Sequence, residues 1–161
     1  MRTVLLCLLA WQLAVAGNAA AGYRDLGDGA VLDTATGLAW QLAAPTQTFA
    51  WGEALAYCEA LATGGHTDWR LPNMRELVSL LDYSRYKPTV DARFAVSAND
   101  SRHWSSSTFL ASPPLAGVIN IYYGTQNGAN KASEALLVRC VRDGPTTPPA
   151  PTGSTLLLLE Q

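Results

Sequence analysis

The chain has 161 residues, a length that fits one domain rather than two. Hydrophobic residues make up 48% and charged residues 15%, so the chain can build a real core, and a formal charge of −2 excludes a general attraction to nucleic acid or to an anionic membrane. Lys87 and Lys131 are the only lysines, so positive charge is mostly arginine, which leaves room for a local carboxylate, sulfate or phosphate site beside the ordinary ion-pair role.

Residues 1–21 read as a secretory signal. Arg2 supplies the positive start, and Val4 to Val15 is apolar apart from Gln12. Both Ala14-Val15-Ala16 and Ala19-Ala20-Ala21 satisfy the small-x-small rule; cleavage is expected after Ala21, with Ala16 the alternative. The run is shorter than the ~20 residues that span a bilayer. An exported protein, periplasmic or at the cell surface, follows. Cys7 leaves with the signal, so Cys58 and Cys140 remain, and two thiols in an oxidising compartment are expected to form a disulfide. The loop so closed has about 80 residues, for which chain entropy gives on the order of 4 kcal/mol. Two isolated cysteines do not have zinc-ligand spacing.

Ala30-Val31-Leu32 and Leu38-Ala39-Trp40 are apolar runs joined by Asp33-Thr34-Ala35-Thr36-Gly37, which predicts a hairpin. Asp25, Asp28 and Asp33 lack the ligand spacing of an EF-hand loop and are read as turn residues. A first helix is predicted with Thr48 as N-cap, with Trp51, Leu55, Cys58 and Leu61 on its buried face and Gly64-Gly65 at its end. Pro72 forces Leu71 to be extended, and Asn73 with Glu76 makes a capping box for a second helix carrying Leu77, Val78, Leu80 and Leu81. Asp82 to Lys87 leaves that helix. After Pro88 the pattern is short strands and ordered loops around Phe94, Trp104, Phe109, Val118 to Tyr123 and Leu136 to Val141. A final strand is expected in which Val138, Cys140 and Arg142 alternate against Arg139 and Val141. Residues 144–161 read as a Pro/Thr-rich flexible tail, and the run Leu156 to Leu159 in it has no physical account.

The order of motifs resembles the C-terminal domain family of the Legionella collagen-like adhesin (Lcl). The resemblance rests on Gly27-Asp28-Gly29 with Val31 and Asp33; Thr36-Gly37-Leu38 with Trp40; and Trp51 with Glu53, Ala54 and Cys58. It continues through Gly65-His66-Thr67-Asp68-Trp69-Arg70-Leu71-Pro72-Asn73 with Glu76-Leu77, then Trp104-Ser105-Ser106-Ser107, and Val138-Arg139-Cys140-Val141-Arg142. These pieces span Tyr23 to Asp143, which sets the domain at 22–143. The resemblance implies an α+β, C-type lectin-like fold, related to the formylglycine-generating-enzyme group, with two helices packed on short antiparallel strands. That fold joins its first helix to its last strand by a disulfide, the same Cys58–Cys140 bond. Neither the Glu-Pro-Asn or Gln-Pro-Asp triplet nor Trp-Asn-Asp of calcium-dependent lectins is found, and Asn99-Asp100 lacks the tryptophan. No Gly-X-Y period is present.

Candidate chemistry is sparse. His66 with Asp68, or His103, are imaginable acid–base groups, but no nucleophile sits in a recognisable elbow, and the retained thiols are expected to be bonded to each other. No catalytic residue, metal or cofactor is assigned. Trp40, Trp51, Trp69 and Trp104 read as core, and Arg70, Arg139 and Arg142 as ion-pair partners for acids such as Asp68 or Glu76. The ligand-binding candidates are Asn120, Tyr122, Tyr123, Gln126, Asn127, Asn130 and Lys131, in the segment before the last strand, where tyrosine and amide side chains suit saccharide or protein recognition. The function expected is a non-catalytic exported binding module in adhesion, for polysaccharide or sulfated glycan. The alternative is a structural or assembly protein of the cell envelope that binds another protein; an enzyme is the third reading.

Overall fold

A computed structural model describes residues 22–94 and 101–145. Residues 1–21, where a signal is expected, Asn99-Asp100, and residues 146–161 with the leucine run lie outside the described residues. Among the described residues the architecture is α+β: small antiparallel sheets, two short α-helices and one disulfide. Strands β1 (Tyr23–Asp25), β2 (Ala30–Asp33), β3 (Leu38–Gln41) and β9 (Val141–Asp143) form one sheet in the order β1-β2-β3-β9. Strands β4 (Phe49–Ala50) and β8 (Ala135–Leu136) pair separately, and β5 (Arg102–Thr108), β6 (Leu115–Asn120) and β7 (Thr125–Asn130) form a third sheet in that order.

The β2–β3 hairpin forms where the sequence places it. The Asp33 carboxylate accepts from Ala35 N at 2.9 Å and Thr36 Oγ1 at 2.7 Å, and Gly37 leaves the turn at φ 75°. Asp25 and Asp28 do the same for Gly27 N and Ala30 N.

Helix α1 (Trp51–Glu59) buries Ala54 and Cys58, flanked by the partly buried Trp51, Leu55 and Leu61. Its cap differs from expectation. Thr48 is exposed, and Ala50 stands at the N-cap, because Phe49–Ala50 is held extended by β8. Glu53 accepts from Ala50 N at 3.0 Å in place of a capping side chain. The helix also stops before Gly64-Gly65: those glycines lie in a 3-10 turn (Thr63–Gly65), where a Cβ on Gly64 would stand 2.9 Å from Asp28.

Helix α2 (Met74–Ser79) has the expected box. Asn73 Oδ1 accepts from Glu76 N at 3.0 Å, and Glu76 accepts from Asn73 N at 2.8 Å.

The last segment corrects a second expectation. Val138, Arg139, Cys140, Val141 and Arg142 are all buried, so no alternation of faces exists, and strand β9 begins only at Val141. The chain there is central: β3 pairs along one edge, Arg70 exchanges hydrogen bonds with Val141 on the other, and the core packs on it. Cys140, just before β9, is bonded to Cys58 of α1.

Two adjoining clusters make the core. One gathers Phe49, Ala54, Cys58, Trp69, Leu71, Trp104, Val118, Leu136 and Val138 between α1 and the β5–β6–β7 sheet. The other gathers Val31, Trp40, Leu77, Leu80, Phe94, Ile119, Ile121 and Val141 around α2. Three tryptophans are buried, as their motifs suggest: Trp40, Trp69 and Trp104. Trp69 Nε1 donates to Thr63 O and Trp104 Nε1 to Phe49 O, which satisfies those two indoles, whereas the buried Trp40 Nε1 has no hydrogen-bond partner among the described residues.

Candidate functional site

The segment from Asn120 to Lys131 is more ordered than a loop. Thr125–Asn130 is a full partner of β6, in register from Asn120↔Thr125 to Leu115↔Asn130. The seven ligand candidates therefore spread along a hairpin rather than meeting at one point. Asn120 Oδ1 accepts from Tyr122 N and Tyr123 N, both at 3.1 Å, and so shapes the turn. Tyr122 and Tyr123 stack edge to face, centroids 5.0 Å apart. Gln126 and Asn127 are exposed on β7 but, as neighbours along a strand, point to opposite faces. Asn130 Oδ1 accepts from Ala132 N, and Lys131 lies with Nζ 2.6 Å from Thr108 Oγ1 and 4.1 Å from the Trp51 ring centroid. Asn130 and Lys131 are thus separated from the tyrosines by the length of β7, about 17–20 Å at ~3.3 Å per residue.

What the structure adds is a second set of groups beside Tyr122 and Tyr123. Tyr83 and Tyr86, on the segment that leaves α2, are 67% and 76% exposed, and Tyr123 is 47% exposed. Lys87 Nζ stands 4.9 Å from the Tyr86 ring centroid and 5.4 Å from that of Tyr123. Tyr83 Cε1 is 3.4 Å from where a Cβ on Gly124 would be. The hydrogen bond with Tyr86 holds the Lys87 ammonium above its ordinary pKa, and among the described residues Lys87 is the non-glycine residue in a left-handed conformation, φ 54°.

The patch is held from beneath. Thr89 Oγ1 donates to Ile121 O at 2.8 Å and Asp82 N to Thr89 O at 2.7 Å, which tie the 82–89 segment to the β6–β7 turn. The Asp82 carboxylate accepts from Ser84 and Arg85, bonds that also hold its pKa below the ordinary range. Four tyrosines and one ammonium are therefore fixed on one surface. The sequence carried a signal for half of it, Tyr83 and Tyr86 three apart before Lys87-Pro88, but not for its meeting with a turn some 35 residues later.

The remaining candidates have other places. His66 is half-exposed, 3.6 Å from Asp28 and 3.9 Å from Asp68. His103 is buried, its Nδ1 2.9 Å from Ser101 O; burial, with the Arg139 charge, pushes its pKa down to about 4. Arg70 makes a two-pronged pair with Glu76, 2.8 Å on each arm, and Arg142 pairs with Asp28 at 3.2 Å. Arg139 departs from expectation: it pairs with no acid among the described residues. Its Nη1 donates to Gln41 O at 2.6 Å and Leu42 O at 3.0 Å, and its guanidinium lies 5.0 Å from the Phe94 ring centroid. Carbonyl dipoles and a ring face take the place of a carboxylate, and burial lowers its pKa to about 10, which still leaves it charged at neutral pH. A cleft of about 430 Å³ near β1 is lined by Tyr23, Asp82, Arg85, Asp91 and Arg93, whose charges pair with one another across it.

The fold and this surface define a disulfide-stapled α+β domain whose exposed tyrosines cluster on one side. The match to the Lcl C-terminal domain family runs over residues 29–142, and the chain belongs to that family. No curated protein sequence matches it.

Proposed function

We propose that the protein is a non-catalytic, exported binding module used in adhesion, and that polysaccharide, including sulfated glycan, is taken by Tyr83, Tyr86, Tyr122 and Tyr123 around Lys87. The observation that carries this reading is the gathering of exposed rings about one ammonium, on a turn whose backbone is fixed by Asn120 and Thr89. Tyrosine rings offer rigid flat area for sugar rings and hydroxyls for their polar edges, at little entropic cost. Lys87 supplies a point charge for a sulfate or carboxylate substituent. Family membership, with its link to an adhesin, supports the adhesive role, and the Cys58–Cys140 bond fits an oxidising compartment outside the cytoplasm. We also read the architecture as C-type lectin-like; a disulfide from the first helix to the residue that immediately precedes β9 supports that assignment.

A glycan array probed with the exported domain tests the proposal, followed by titration of the best hit against Tyr123→Ala, Tyr86→Ala and Lys87→Met. Each alanine variant is expected to weaken binding about tenfold or more, the scale of a lost stacking contact at a hot spot. Lys87→Met is expected to weaken sulfated ligands only. Unchanged binding in all three variants places the ligand elsewhere.

A further inference from the structure

The third sheet has two unlike edges. Along β5, the outer groups are used: Trp104 N donates to Leu137 O, Leu137 N to Arg102 O, and Ser106 N to Pro72 O. Along β7 they are not. Lys131 N donates inward to Pro114 O, whereas the N–H and C=O of Asn130 turn outward, to the Glu134 carboxylate and to Glu134 N. Because these directions alternate along an antiparallel strand, the backbone groups of Gln126 and Gly128 also point outward. Neither residue has another backbone partner among the described residues, and both are exposed.

Natural edges of this kind are usually blocked by a charge, a proline or a bulge. Thr125-Gln126-Asn127-Gly128-Ala129-Asn130 has no charge and no proline, and its register with β6 is unbroken. Beside it lies apolar surface that the fold leaves uncovered. Leu110 is 96% and Phe109 43% exposed, and the Phe109 ring comes within 3.1 Å of where a Cβ on Gly128 would be.

We propose that β7 pairs antiparallel with β7 of a second copy of this chain, about a two-fold axis at Asn127, to make a continuous six-stranded sheet. The edge is self-complementary in this register. Gln126 of one copy faces Gly128 of the other and exchanges two hydrogen bonds with it, and symmetry repeats the pair. Asn127 meets its own counterpart as a non-hydrogen-bonded pair, Cα atoms about 4.5 Å apart, where two amides bond to each other and two like charges would repel. Phe109, lying over Gly128, gains the aliphatic stem of the facing Gln126 as cover. Gly128 leaves room for this, since a Cβ there would crowd the ring at 3.1 Å. The contact is small, so the dimer is concentration-dependent. It does not rest on the glycan reading.

Sedimentation equilibrium of the exported chain is expected to show mass rising from monomer toward dimer with concentration. Asn127→Lys is expected to abolish that rise while leaving the melting temperature unchanged. Asn127→Cys, which adds one free thiol at the axis, is expected to oxidise to a covalent dimer faster than Ala56→Cys on the exposed face of α1. A wild-type chain that stays monomeric at millimolar concentration overturns the proposal, as does a dimer that survives Asn127→Lys. Equal cross-linking of the two cysteine variants overturns it as well.

Discussion

Removing the disulfide tests how the domain is held together. Cys58 and Cys140 are both fully buried, 82 residues apart in sequence, and they join α1 to the residue that precedes β9. For a loop of that size the chain-entropy relation gives about 15 cal/mol/K, or about 4.5 kcal/mol at 25 °C. Domains of this kind have about 5–15 kcal/mol in all, so reduction is expected to remove a large part of the stability. Other links also tie the first half of the chain to its end, among them the β3–β9 ladder, the Arg70–Val141 hydrogen bonds and Arg139 on Gln41, so the reduced chain is expected to keep its fold at lower stability. The assay is urea unfolding of residues 22–145, followed by tryptophan fluorescence, oxidised against Cys58→Ala/Cys140→Ala. A midpoint shift worth about 4 kcal/mol at unchanged slope supports the reasoning. A loss below about 1 kcal/mol refutes it, and so does alkylation of either thiol in the native, non-reduced protein.

Three further outcomes follow from named groups. Burial works against ionising Glu76, but the Arg70 hydrogen bonds, the Asn73 N–H and the Arg70 charge outweigh it and lower its folded pKa; its contribution is thus full above about 4.5 and lost as pH falls through the folded value, and Glu76→Gln is expected to cost roughly 1–3 kcal/mol at pH 7 and to flatten that acid limb in chemical denaturation. Burial, then the Arg139 charge, lowers the folded pKa of His103 to about 4 against 6.5, so its contribution is full above about 6.5 and lost as pH falls toward 4, roughly 3 kcal/mol in total; its ring-proton resonance is expected to stay still down to about pH 5, and a midpoint near 6.5 would contradict the burial argument. Gly124→Ala is expected to cost about 1–2 kcal/mol and to weaken glycan binding as well, because Gly124 has φ 72° and a Cβ there meets Thr89 at 3.2 Å; differential scanning calorimetry beside the binding titration checks both.

Much of the scaffold was legible because it is local chemistry. Asp33 to Gly37 makes its own turn, and Asn73 with Glu76 makes its own cap, so neither needs the rest of the chain. The features that escaped are those set by distant partners. Thr48 looks like a cap, but β8 draws Phe49 and Ala50 into a strand and moves the helix start. Thr125–Asn130 has the amide and glycine content of a loop, and it is a strand because β6 supplies the ladder. Arg139 invites an acid, and backbone carbonyls of Gln41 and Leu42 answer it. At the candidate site, Tyr122 and Tyr123 were legible as residue types; Tyr83, Tyr86 and Lys87 join them only through the Thr89–Ile121 contact.

These two kinds of residue occupy different parts of the molecule, and the division bears on how such a domain can vary. The run Val138 to Arg142 carries the disulfide, two buried arginines and the strand edge that takes both Arg70 and β3, so a change there leaves a charge, a cavity or an unpaired backbone group inside the core. The tyrosines project from a turn and a connecting segment that touch the core through Ile121 and Thr89. Replacing an exposed ring at Tyr83, Tyr86 or Tyr123 leaves those anchors in place. The proposed recognition surface is therefore free to vary while the central strand stays as it is, as expected where function is carried on loops held by a rigid scaffold.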